Sequence, residues 1–265
     1  MANELSITID KDGIALILLN RPEKHNAFND KLITELSGQL ESLDQNPEVR
    51  VVVLTGSGES FSSGADITWM KSMVNYDQET NRNDAIHLAE LMQQLYSLSK
   101  PTIARVNGSA YGGALGLIAC CDIAIAVDHA KFSFSEVKLG IAPAVISPYV
   151  ISAIGTRHAK KLFLTGEIFD SIEAVRINLL HSSVPLSDFD NTVNTQIKYL
   201  LKGGPNAQAE IKEMIQHFSI FEKDIKWKTA EIIAKLRTSD EGQEGLGAFL
   251  NKRKPSWTTQ KESDS

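Results

Sequence analysis

The residues of this 265-residue chain whose types could do chemistry are a carboxylate in apolar surroundings, Glu136, and two loops rich in small residues. Glu136 follows Phe132-Ser133-Phe134-Ser135, which alternates like a strand, and precedes Leu139-Gly140-Ile141-Ala142-Pro143. Buried among such neighbours, a carboxylate loses hydration, its pKa rises, and it becomes suited to moving a proton near neutral pH. Beside Lys138 it could equally be a solvated surface group. The first loop, Gly112-Gly113, follows the apolar lead Thr102 to Val106 and Asn107-Gly108, and opens into small apolar residues up to Cys120. That order reads as strand, glycine turn, helix. Glycines there permit backbone angles closed to other residues and leave the first helical N–H groups uncovered, where the helix dipole draws negative charge. A Gly-Gly pair also serves close helix packing. The second loop, Phe61-Ser62-Ser63-Gly64-Ala65-Asp66, has residues small enough to let a ligand reach the main chain, although its composition is common in loops. Asp122 lies near both glycines in sequence, and it reads as a cap or turn residue ahead of the strand Ile123 to Val127.

Several segments, taken in order, resemble the crotonase or enoyl-CoA hydratase/isomerase superfamily over nearly the whole chain. They are Arg21 to Phe28 (RPEKHNAF), Phe61 to Ile67 (FSSGADI), Asn107-Gly108 with Gly112-Gly113, Cys121 to Ile123, Ser135 to Gly140 (SEVKLG) and Phe249 to Pro255 (FLNKRKP). The resemblance implies an α/β fold, a spiral of ββα units with C-terminal helices used for trimer contacts. It also implies an acyl-CoA thioester as substrate, so that coenzyme A belongs to the substrate and no separate cofactor is expected. The catalytic positions it implies are the backbone N–H groups of Ala65 and Gly113, which would bind the thioester oxygen as an enolate forms, and the Glu136 carboxyl. Backbone donors ask only for room, and losing one such donor commonly costs ~3 kcal/mol of transition-state stabilisation.

Lys24, Ala27, Ser63, Asp66 and Ile67 match family positions near the CoA adenine and pantetheine arm, and Phe249 and Lys252 match C-terminal positions that reach CoA. Lys252 could also be a solvated helix terminus. Gly112 and Gly116 are assigned to the substrate side with them. At Gly116 the two-carboxylate hydratases of the family carry a second Glu, so this chain departs from that pattern. One Glu could orient water and deliver a proton to the α-carbon, or shuttle a proton between α- and γ-carbons as an isomerase does. Gly116, together with Gly140 to Val150 (GIAPAVISPYV), is similar to bacterial methylglutaconyl-CoA hydratases and related branched-acyl hydratases. The resemblance therefore implies hydration of a short or branched 2-enoyl-CoA. Isomerisation, and acyl-CoA or RNA binding without turnover, are the alternatives.

The elements that must position these groups follow from periodicity. Strand-like runs Ile7 to Ile9 and Ile14 to Leu19 flank a Lys11-Asp12-Gly13 turn. A helix from Asn29-Asp30 to Asn46-Pro47 repeats Leu32, Ile33, Leu36, Leu40 and Leu43, and Val51 to Thr55 reads as a strand covered on both faces. Ile67 and Trp69 begin a helical segment, Tyr76 to Arg82 is polar and expected to be a mobile loop, and Ala85 to Leu98 returns to helical spacing. Further helices are expected at Ser147 to Ile154, Arg157 to Leu164, Ser171 to Ile177, Asp188 to Leu201, Ala207 to Phe218, Ile220 to Lys235 and Ser239 to Leu250. The expected division is a core at 1–200, a helical region at 201–258 and a disordered tail at 259–265.

Composition sets bounds on all of this. With 42% hydrophobic residues the chain can pack a sizeable core, and a net charge of -6 gives no support to general nucleic-acid or membrane-surface binding. Cys120 and Cys121, adjacent in an apolar run, suggest buried thiols and a reducing compartment. No targeting segment and no apolar run near the ~20 residues of a membrane span are present, so a cytoplasmic protein is expected. The six histidines show no ligand spacing, so no metal is expected. A homotrimer, or a hexamer of two trimers, is the assembly that the resemblance implies.

Overall fold

The computed structural model describes residues 4–218 and 224–258. The hairpin forms from β1 (Leu5–Ile9) and β2 (Ile14–Leu19), and the Asp10 side chain accepts from the Asp12 and Ile14 N–H groups at 2.9 Å to close the turn. Helix α1 (Asp30–Gln45) starts on Asn29, whose side chain accepts from the Leu32 N–H at 2.7 Å, and buries the five apolar residues that set its period. Strand β3 (Val51–Gly56) is buried at every position, as its unbroken β-branched run requires.

From there the chain repeats one pattern. β3 leads to β4 (Ser60–Ser62), α2 (Ile67–Met73) and α3 (Gln78–Ser97). β5 (Thr102–Val106) leads to β6 (Ser109–Tyr111) and α4 (Gly113–Cys120). β7 (Ile123–Val127) leads to β8 (Lys131–Ser133), a 3-10 turn at Ser135–Leu139 and α5 (Ser147–Thr165). The next segments are β9 (Phe169–Asp170), α6 (Ser171–Arg176) and β10 (Ser182–Val184). The first strand of each turn joins a six-stranded sheet ordered β1-β2-β3-β5-β7-β10, parallel except for β1. The second joins a four-stranded sheet ordered β4-β6-β8-β9, in which β9 alone runs antiparallel. This is the α/β spiral of ββα units implied by the resemblance. Its consequence for the site is that the loops after β4, β6 and β8 leave the same small sheet side by side.

The remaining helices are α7 (Leu186–Leu201), α8 (Pro205–Phe218), α9 (Ile225–Thr238) and α10 (Asp240–Leu250). α9 lies along α3, and α10 lies against the 3-10 turn. The α10 contact requires glycine on both sides. A Cβ on Gly140 would sit 2.4 Å from the Glu241 carbonyl oxygen, and one on Gly245 would sit 2.3 Å from that of Leu139. Ala230 and Ile233 of α9 belong to the same buried cluster as the sheets.

Three local expectations need correction. Tyr76 to Arg82 is not a loop beyond its first two residues, because Asp77 caps α3 by accepting from the Thr80 N–H at 2.8 Å. The strand through Phe132 stops at Ser133, so Glu136 sits in a 3-10 turn and not at a strand end. The two helices expected between Ser147 and Leu164 are continuous except for a break at Gly155, whose φ of 74° no other residue adopts easily. The helix expected from Ile220 is described from Ile225, and its first residues, like the expected tail at 259–265, lie outside the described residues. Cys120 and Cys121 are buried free thiols. Among the described residues no helix is long and apolar enough to cross a membrane.

Candidate active site

Two backbone N–H groups are left uncommitted where the small-residue loops meet. The loop after β4 pairs with Phe28: the Phe28 N–H donates to the Gly64 oxygen at 2.6 Å, and the Asp66 N–H donates to the Phe28 oxygen at 2.7 Å. Ala65 lies between these bonds with its N–H unused. Gly64 holds φ at 84°, and a Cβ there would lie 2.7 Å from the Tyr111 oxygen and 3.7 Å from the Gly113 nitrogen, which shows how closely the two loops approach. On the other loop the Gly112 N–H donates to the Ser133 oxygen at 3.0 Å, and Gly113 opens α4. Among the described residues neither the Ala65 nor the Gly113 N–H has an acceptor. The helix α4 places its positive end behind the second of them.

Glu136 faces this point. A Cβ on Gly112 would lie 3.3 Å from Glu136 Oε1, so a side chain there would crowd the carboxyl. Oε2 is closed off from solvent and has no hydrogen-bond partner among the described residues. Burial pushes the carboxyl up from 4.5 to about 7, against a smaller lowering by its own backbone N–H. Ala65, Gly112, Gly113 and Glu136 all line one cavity of about 290 Å³. Its other walls are largely apolar, which is the usual character of a small-molecule site.

The remaining expected site residues divide into two groups. Ser63 and Phe249 line this cavity. Lys24 and Ile67 are exposed and do not line the cavity, although the Ser63 hydroxyl donates to the Lys24 oxygen at 3.2 Å. Ala27 is buried, and its carbonyl accepts from Arg21 Nη1 at 2.6 Å. Lys252 is exposed at a φ of 53° and does not line the cavity. The Asp66 carboxylate caps α2 through the Thr68 N–H at 2.7 Å and pairs with Arg21 at 2.9 Å, so both its oxygens are engaged within the chain. Burial alone would raise it, but the Thr68 N–H and the Arg21 guanidinium outweigh burial and hold its pKa low. Asp122 is likewise structural, accepting from the Thr102 N–H at 2.7 Å and joining the starts of β5 and β7.

Gly116 is not on the cavity surface. A Cβ there would lie 2.2 Å from Cγ2 of Ile146 and 3.1 Å from the Met92 sulfur, so Ile146 covers Gly116 and takes its place in the wall. Ala144, Val145 and Ile146 are all wall residues, which gives the segment after Gly140 its position in the molecule. Glu136 is the one acid among the described residues of the lining.

Besides Glu136 the wall carries two basic residues, Lys138 and Arg237, and the second of these has no counterpart in the sequence reading. Arg237, in the last turn of α9, is 8% exposed and lines the cavity. Its Nη1 pairs with Asp84 Oδ2 at 3.0 Å, and Asp84 Oδ1 accepts from Trp69 Nε1 at 3.1 Å. A basic residue ending a helix ordinarily reads as a dipole partner in solvent, and the carboxylate that meets this one lies more than a hundred positions upstream. Among the described residues there is no group of three or more His, Cys, Asp or Glu that could hold a metal.

A profile described as enoyl-CoA hydratase/isomerase matches residues 10–260 of the chain. The chain is 32% identical over 253 residues to the short-chain-enoyl-CoA hydratase of Clostridium acetobutylicum, covering 94% of this chain and 96% of that protein. It is 33% identical over 254 residues to the hydroxycinnamoyl-CoA hydratase-lyase of Pseudomonas fluorescens, covering 91% and 90%. Among solved structures, an enoyl-CoA hydratase from Shewanella pealeana superposes with a TM-score of 0.80 at 42% identity, over 96% of each chain.

Proposed function

This chain belongs to the enoyl-CoA hydratase/isomerase family, and on that premise we propose that it hydrates a short, branched 2-enoyl-CoA of the methylglutaconyl type with Glu136 as its acid and base. The observation that carries the reading is one carboxyl, raised to about 7, facing two uncommitted backbone N–H groups across an apolar cavity. A conjugated thioester whose carbonyl oxygen accepts from Ala65 and Gly113 is polarised towards an enolate, and its β-carbon becomes open to attack. Glu136 as carboxylate removes a proton from water as the water oxygen bonds to that carbon. The electron pair of the double bond moves onto the thioester oxygen. Glu136, now protonated, returns its proton to the α-carbon, and the enolate collapses to the 3-hydroxyacyl thioester. One group that is near half-ionised at neutral pH can serve both steps.

The wall formed by Ala144, Val145 and Ile146 limits the acyl group to a compact one and supports the branched reading. Ser63 and Phe249 on the wall, with the exposed Lys24 and Ile67, suit the CoA arm, whereas Asp66 acts by holding the loop through Arg21. The lone carboxyl also suits a proton shuttle between α- and γ-carbons, which is the isomerase reading. Crotonyl-CoA, methylglutaconyl-CoA and a 3-enoyl-CoA decide between them. Loss of the conjugated thioester absorbance with the first two supports hydration. Movement of the 3-enoyl double bond with no hydration replaces it by isomerisation, and binding without turnover across the panel removes catalysis. For assembly the reading is a homotrimer or a dimer of trimers, supported by exposed Ile211 and Met214 on α8, which ask for an apolar partner.

A further inference from the structure

We infer that Arg237 is a specificity-determining residue that binds a terminal carboxylate on the acyl group, so that the preferred substrate is the monothioester of a dicarboxylic acid. The inference rests on the acyl-CoA reading above and adds to it the group that recognises the far end of the acyl chain.

An arginine this deeply buried is costly unless its charge is met. Asp84 meets one edge of the guanidinium, through Nη1 alone. Among the described residues no acceptor reaches Nε or Nη2, and both atoms keep some exposure on a side chain that lines the cavity. That edge is the planar pair of donors that matches a carboxylate bidentately. The other edge cannot turn away to solvent, because Asp84 is itself held by the Trp69 indole N–H and lies on α3, against which α9 packs. The open edge is therefore fixed in direction before substrate arrives.

Arg237 has no assigned part in the chemistry of Glu136. Burial is the main cause of the raised Glu136 pKa, and no charged neighbour contributes. The other lining from the same helices is apolar: Trp69, Met70, Met73, Leu88 and Ile233. A neutral acyl group would leave two guanidinium donors unmet beside that apolar wall, whereas a carboxylate would meet both. The selectivity thus works in both directions, by attraction of the anion and by rejection of the acyl chain that lacks it.

The test is direct binding of two unreactive saturated analogues, glutaryl-CoA and butyryl-CoA, measured by calorimetry in parallel with turnover of glutaconyl-CoA and crotonyl-CoA. Each pair differs by the terminal carboxylate. The full-length wild type is expected to bind glutaryl-CoA about tenfold or more tightly relative to butyryl-CoA, the range of a charged hydrogen-bond pair. Arg237→Met is expected to bring the ratio close to one. Asp84→Asn, which keeps an acceptor for Trp69 and removes the competing carboxylate, is expected to widen it. Where Arg237→Met does not fold, the Asp84→Asn variant decides, since an unchanged or narrowed ratio overturns the inference. A wild-type ratio near one, or a ratio unmoved by Arg237→Met, overturns it as well. A ratio that behaves as expected with no hydration of either enoyl-CoA leaves Arg237 in its role and removes the hydratase reading, so the two failures are distinct.

Discussion

Glu136→Gln separates the chemistry of the site from its stability, and the two effects should have opposite signs. Raising an acid from 4.5 to about 7 corresponds to about 3 kcal/mol of penalty on the buried carboxylate at alkaline pH, at about 1.4 kcal/mol per decade. The folded chain holds the Glu136 proton more tightly than the unfolded chain does. Its contribution to stability is therefore fully present below pH 4.5 and is lost as pH rises through 7. The glutamine amide has nearly the same volume and no charge to desolvate. In chemical denaturation the variant should be more stable than wild type by about 3 kcal/mol at pH 8, and by under about 1 kcal/mol at pH 5. Turnover should fall ~10²–10⁴-fold, since an amide cannot accept and return the proton, while acyl-CoA affinity stays within a few-fold. In wild type, kcat/KM should rise with pH through about 7 as the carboxylate forms. A stability difference that is constant with pH would refute the burial argument. Full turnover by the variant would show that Glu136 is structural and remove the mechanism.

Gly116→Glu should lose both stability and turnover instead of creating a two-carboxylate hydratase, because even its Cβ meets Ile146 at 2.2 Å. Overpacking of that kind costs ~1–3 kcal/mol, and adding Ile146→Ala should recover much of that loss; strictly additive effects in thermal melts would show that the two sites do not touch. Light scattering at micromolar concentration should give a trimer or hexamer mass, and a monomer mass would withdraw the assembly proposed here.

The parts of the site that the sequence made legible are those carried by local chemistry. Glu136 stood out because its neighbours on both sides are apolar, and the two loops because small residues and glycine punctuate them. The long periodic elements, α1 and β3 above all, were legible for the same reason. Four strands were not: β6, β9 and β10 have two or three residues each, too few for a period, and β4 hides in a serine-rich loop. The first turn of α3 was readable in principle from Asp77 ahead of Gln78-Glu79, but the polar run around it favoured a loop. The sequence gives no sign that the Asp66 carboxylate is engaged both by the Thr68 N–H and by an arginine 45 positions away. Arg237 was invisible because its partner Asp84 comes from α3 and is itself held by Trp69 of α2, and nothing within its own helix announces burial.

The cavity closes with the last helices of the chain, and this bears on how the protein comes into being on the ribosome. Ile233, Arg237, Leu246 and Phe249 form one side of the pocket, and α10 supports the turn bearing Glu136 through the Gly140 and Gly245 contacts. Synthesis runs from the N-terminus at ~5–20 residues per second, so both sheets and the loops bearing Ala65 and Gly113 are available before that side exists. Until α9 and α10 emerge, Trp69, Met70 and Met73 lack the cover they have in the finished fold. A message cut short before α10 would therefore yield a chain with complete sheets, an uncovered apolar groove and an unsupported Glu136. Such a product would be a client for chaperones and not a weak enzyme, and catalytic competence arrives as a late, single event in the life of each chain.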